Sequence, residues 1–104
     1  TGSTTGYVGA DGAYNLVEND SISFAIFEQN DRLFTGNVTY TRDGETIIEG
    51  FAGAIGADNK TLYIAESKGY GFGTIISDDE IELIYLENGE TVLAAIDKLH
   101  RLKA

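Results

Sequence analysis

A period-two alternation of apolar and polar residues runs through the chain, interrupted every ten residues or so by Asn, Asp or Gly and never by Pro. Residues 22–29 set Ile22, Phe24 and Ile26 against Ser23, Ala25 and Phe27. Residues 33–41 set Phe34, Gly36, Val38 and Tyr40 against Thr35, Asn37, Thr39 and Thr41. This pattern fits a pleated sheet with one face buried. Helical period is confined to the tail, residues 97–103.

The punctuation divides the chain into eight expected strands, at about 13–18, 22–29, 33–41, 46–55, 61–66, 69–76, 80–86 and 91–99. Asn19-Asp20 is read as the first turn, and Asp43-Gly44 and Asn88-Gly89 as two-residue hairpin turns. Short links between consecutive strands impose an antiparallel meander. Eight such strands close into an up-and-down barrel, with a two-sheet sandwich as the alternative. Residues 1–12, rich in Thr, Gly and Ser, read as a flexible leader and point to an extracytoplasmic segment. Residues 13–104 then form a single domain, since a chain of 104 residues buries one core.

Composition narrows the function. Seventeen acidic residues against seven basic give a net charge of -10, which disfavours nucleic acid and anionic membranes as partners. With no Cys and one His, thiolate and histidine metal sites are out of reach, and no metal or cofactor is expected. No apolar run approaches the roughly 18 residues of a membrane-spanning helix. The Gly69-x-Gly71-x-Gly73 alternation lies within a strand and cannot form a strand-turn-helix phosphate cradle.

Turn lengths carry the inward-outward parity from hairpin to hairpin. A two-residue Asp43-Gly44 turn sets Tyr40 opposite Ile47, Val38 opposite Glu49, Gly36 opposite Phe51 and Phe34 opposite Gly53, so large side chains lie over glycines. A two-residue turn at Ala57-Asp58 would set Glu49 opposite Glu66. The central stretch, residues 69–86, carries apolar residues on both faces: Gly71 and Gly73 face Tyr85 and Leu83 inside. A two-residue Asn88-Gly89 turn would bring Val92, Ala94 and Ile96 inside as well. Two consequences follow. Glu49, Glu66, Tyr40 and Tyr85 become candidate ligand-binding residues in the interior, where paired carboxylates and hydroxyls suit a cation or acid-base chemistry. Tyr63, Tyr70, Phe72, Ile84, Leu86 and Leu93 become an apolar outer face, expected to form a homodimer interface. No catalytic residue is assigned.

The segment FTGNVTY, residues 34–40, followed by a Gly-rich strand and by GYGFGTIIS, residues 69–77, resembles the calycin-type barrels of the lipocalin and avidin group across about residues 13–100. The resemblance implies a barrel whose interior is a small-ligand cavity or is filled by side chains. The chain has no Trp, so neither the Gly-x-Trp element of lipocalins nor the ligand-covering tryptophans of avidins has a counterpart. The expected function is non-enzymatic binding of a small apolar or cationic ligand in the barrel. The alternatives are a structural or interaction domain of a larger extracytoplasmic protein with a filled barrel, and an enzyme using Glu49 and Glu66.

Overall fold

The computed structural model describes residues 1–102. It is an all-β meander of eight antiparallel strands: β1 (Gly2–Ala10), β2 (Ala13–Asn30), β3 (Leu33–Arg42), β4 (Glu45–Ile55), β5 (Thr61–Glu66), β6 (Gly69–Ile75), β7 (Glu80–Glu87) and β8 (Val92–His100). Each strand pairs with the next, and β1 pairs with β8, so the sheet closes into a barrel rather than a sandwich. No helix occurs among the described residues. Asp97 to His100, expected in a helical tail, belong to β8, and Lys103 lies outside the described residues.

The eighth strand comes from the segment expected to be a leader. Gly2–Ala10 hydrogen-bonds to β2 on one side and β8 on the other, and Asp11-Gly12 joins it to β2 with positive φ at both residues, 52° and 80°. That is what a type I′ hairpin turn requires, and Asp43-Gly44 repeats it at 52° and 78°. Asn19-Asp20 is no turn. Asn19 enters the left-handed region at φ 55°, its N–H donates to Thr5 Oγ1 at 3.1 Å, and the register shifts by a β-bulge. The strand continues through it for 18 residues. A second bulge leaves Phe27 unpaired and 67% exposed.

The β3–β4 register is the expected one, Tyr40 opposite Ile47 through Phe34 opposite Gly53, as is β6–β7, with Gly71 opposite Tyr85 and Gly73 opposite Leu83. The β4–β5 register differs by two residues, so Glu66 faces Phe51 rather than Glu49. Asp58 explains the longer loop. Its Oδ1 accepts from the N–H groups of Lys60 and Thr61, both at 2.9 Å, and its Oδ2 accepts from Thr61 Oγ1 at 2.6 Å. These bonds hold its carboxyl down at about 2 and fix a wide turn over residues 56–60. An even shift preserves which face points inward.

At β7–β8 the shift is odd. Gly89 has φ 140° while Asn88 keeps a negative value, so no I′ turn forms and the loop extends over residues 88–91. Tyr85 therefore pairs with Ala95 and Leu83 with Asp97. Leu93, Ala95, Asp97 and Leu99 turn inward, and Ala94 and Ile96 outward. This corrects the expectation for Leu93, which lines the interior instead of the outer face.

Inside, Ile22, Val38, Phe51, Leu62, Ile64, Leu83 and Leu99 form the core, with Val38 only 1% exposed. Phe51 packs between Phe24 and Phe34 at ring-centroid distances of 5.5 and 6.1 Å. Gly36 allows this density, because a β-carbon there would drive into the Ala25 carbonyl. At Gly50 the nearest atom to such a carbon would be Asn37 Oδ1, at 3.8 Å. Gly36→Ala is therefore expected to lower unfolding free energy by about 1–3 kcal/mol, the usual range for overpacking. Gly50→Ala should leave it unchanged or slightly higher. Urea titration of the two variants beside the parent chain measures both.

Candidate functional site

The interior is apolar toward the end carrying the β2–β3, β4–β5 and β6–β7 loops and polar toward the end carrying the other hairpins. The polar half follows from parity. The inward polar positions in that half are Tyr40 and Arg42 on β3, Glu49 on β4, Glu66 on β5, Tyr85 and Glu87 on β7, and, deeper in the barrel, Asp97 on β8. Beside them a cavity of about 280 Å³ is lined by Thr4, Gly6, Val8, Val17, Asp20 and Ile22 from the first two strands. Tyr40, Arg42, Tyr85, Leu93 and Ala95 close its other side. Asp97 lies one inward step beyond Ala95 and faces Thr4 across β1–β8.

All four residues expected to bind a ligand are thus in this half of the barrel. The Tyr40 hydroxyl donates to Glu49 Oε1 at 3.1 Å. Burial, and next the charge of Glu49, push the Tyr40 phenol up to about 12, so it stays a donor. Glu66 does not stand opposite Glu49, yet feels its charge. Burial first, then Glu49, Asp97 and Glu87, push the Glu66 carboxyl up from 4.5 to about 7. Burial and the charges of Glu66, Glu87 and Glu49 also raise the Tyr85 phenol. Gly69 makes room for that phenol, since a β-carbon there would stand 2.9 Å from its oxygen.

Asp97 is the main addition. It is 2% exposed, and burial raises its carboxyl although a hydrogen bond from Thr4 opposes the shift. Its Oδ1, together with Glu49 Oε2 and the Tyr85 hydroxyl, is buried without a hydrogen-bond partner. The Tyr85 hydroxyl lies toward Glu87 without reaching good geometry. Arg42 stands at the mouth, where its guanidinium lies 3.7 Å from Glu87 Oε2 and 5.4 Å from the Tyr40 ring centroid. No three His, Asp or Glu side chains among the described residues converge closely enough to hold a metal ion. Tyr40, Tyr85, Thr4 and Asp20 line this small, largely apolar space, and the carboxyls of Glu49 and Asp97 stand behind that lining, on Tyr40 and Thr4 respectively. The arrangement suits a ligand that brings N–H donors and a positive charge.

Asp97, Glu87, Asp20, Thr4 and Arg42 were not anticipated in this role. Asp97 is the single acid in VLAAIDKLH, and its alternation with Ala95 and Leu99 was legible. The turn length that decides its direction was not. Comparison with protein-family models, curated proteins and solved structures finds no match for this chain, so the site is read from its own chemistry.

Glu66 binds its proton more tightly in the folded than in the unfolded chain, so folding is favoured below 4.5 and that contribution is lost as pH rises toward about 7. Stability of the parent chain should therefore fall between those values and level off above them. Glu66→Gln should flatten this decline and be the more stable form at pH 8. Thermal melts across that range, followed by circular dichroism, give the comparison.

Proposed function

We propose that the protein is a non-enzymatic binding module that takes a small organic cation, an amine with a compact hydrocarbon part, into the polar half of its barrel. The observation that carries this reading is a pair of buried acceptors without partners, Asp97 Oδ1 and Glu49 Oε2, on carboxyls that bond Thr4 and Tyr40, two residues lining a largely apolar cavity. An unpartnered buried polar atom costs about 1–3 kcal/mol, more when charged, and an ammonium group would remove that penalty. A purely apolar ligand would leave it in place. The volume of about 280 Å³ lies at the lower end of ligand pockets, so the cation is small. Tyr40 and Tyr85 add phenol rings whose faces attract cations. The architectural resemblance to calycin-type barrels agrees with an interior ligand and adds no residue-level detail.

A second reading is favoured by the outer surface, where Tyr63, Tyr70, Phe72, Ile84 and Leu86 are exposed on neighbouring strands: an interaction domain that works through that face.

Titration calorimetry with benzylammonium and cyclohexylammonium, with benzyl alcohol as the neutral counterpart, tests the first reading. The amines should bind saturably and the alcohol should not. Affinity should rise as pH passes about 7, because the cation favours ionised Glu66 and displaces its proton. Asp97→Asn should weaken binding at least about tenfold, the loss of one charge-assisted hydrogen bond. Equal affinity for amine and alcohol, or an unchanged Asp97→Asn variant, would overturn it.

A further inference from the structure

Side chains on the outside of the barrel fall into lateral rows, because the hydrogen-bonded register sets each outward residue beside its neighbours. One row runs Ala54, Tyr63, Phe72, Ile84, Ile96 from β4 to β8. The next runs Ala52, Ala65, Tyr70, Leu86, Ala94 over the same strands. Neither row contains a charged residue. A third row, Thr61, Thr74, Glu82, Lys98, borders them and is polar throughout, with its acid and base paired side by side. This polar row bounds the band on one side, while the second apolar row runs on past Ala94 to Tyr7 and Leu16 on β1 and β2.

We propose that this band is a contact surface for a second copy of the chain, docked about a twofold axis over β5–β8. Three observations select that occupant. The first is area. Tyr63, Tyr70, Phe72, Ile84, Leu86 and Ile96 are 42–64% exposed. At that exposure they offer roughly 600 Å² before the flanking alanines are added, approaching the ~800 Å² per partner of a standard interface. The second is shape. Tyr63 and Phe72 meet edge to face at 6.2 Å and stand as a ridge beside a groove along Ala52, Ala54 and Ala65. One face therefore carries both ridge and trough, which is what self-docking about a twofold axis needs. The third is charge. Each chain carries -10, so two copies repel except across a surface free of like charges. Here the band is neutral and its border sets Glu82 against Lys98.

A bilayer fits less well. A membrane-spanning barrel has an apolar belt about 25 Å tall all round a polar interior, whereas the outward residues of β3, Thr35, Asn37, Thr39 and Thr41, are polar and half of this interior is an apolar core. The dimer supplies the partner for the interaction-domain reading and stands independently of the interior site.

Sedimentation equilibrium of the parent chain, Phe72→Ser with Ile84→Ser, and Ala65→Arg tests the proposal. Ala65→Arg places a charge in the trough and removes nothing from the core. The parent is expected to be a dimer at micromolar concentration, with both variants at least tenfold weaker in self-association and unchanged in far-ultraviolet circular dichroism. A parent that stays monomeric at 100-fold higher concentration would overturn the dimer while leaving another partner open to the interaction-domain reading. A dimer that persists in both variants would overturn the assignment of this face.

Discussion

Pairing between β1 and β8 turns a twisted eight-stranded sheet into a tube, and one face of every strand then loses access to water. Closure leaves no free edge, but it also forces every inward residue into a narrow space. Glycines at Gly36, Gly53, Gly71 and Gly73 answer this, each standing beside a larger partner across the ladder: Phe51, Phe34, Tyr85 and Leu83. The interior is filled around Phe34, Phe51 and Leu83, and it stays partly open where Tyr40, Tyr85, Thr4 and Asp20 line it.

The same closure creates a conflict in the polar half. Glu49, Glu66, Glu87 and Asp97 are drawn within electrostatic reach of one another, out of water and against two phenols. Charged together they repel, and burial penalises each. The fold answers in three ways. Tyr40 donates to Glu49, Arg42 lies beside Glu87, and the raised carboxyls of Glu66 and Asp97 hold protons further up the pH scale. Acceptors still remain without donors. An apolar filling would be more stable on its own account, which makes the cluster intelligible as a seat for a cation rather than as a contribution to folding.

Much of this was legible because period-two parity survives even-numbered errors. Strand identity from residue 33 onward, closure of the antiparallel meander into a barrel and the inward direction of Tyr40, Glu49, Glu66 and Tyr85 follow from alternation, and the two-residue misplacement at Asp58 altered neighbours without altering faces. Asn88-Gly89 was different. The dipeptide favours a tight turn, yet tertiary pairing of β8 with β1 carries the loop through Glu90 and Thr91, and the odd shift exchanged Leu93 for Ile96 on the outer face. The first strand was hidden by composition, since Thr, Gly and Ser resemble a linker. Asp11-Gly12, of the same type as Asp43-Gly44, was the signal that marked its hairpin. At Asn19-Asp20 a bulge used the residues of a turn, and side-chain chemistry does not separate the two.

The buried acidic cluster can be examined residue by residue in the ligand-free protein by a 13C NMR titration of its carboxyl carbons. Glu66 is expected to titrate at about 7 and Asp97 above the ordinary aspartate range. Midpoints of about 4 for both, the values of solvated carboxylates, would mean that water reaches these groups freely and that the barrel holds no uncompensated charge for a cation to meet.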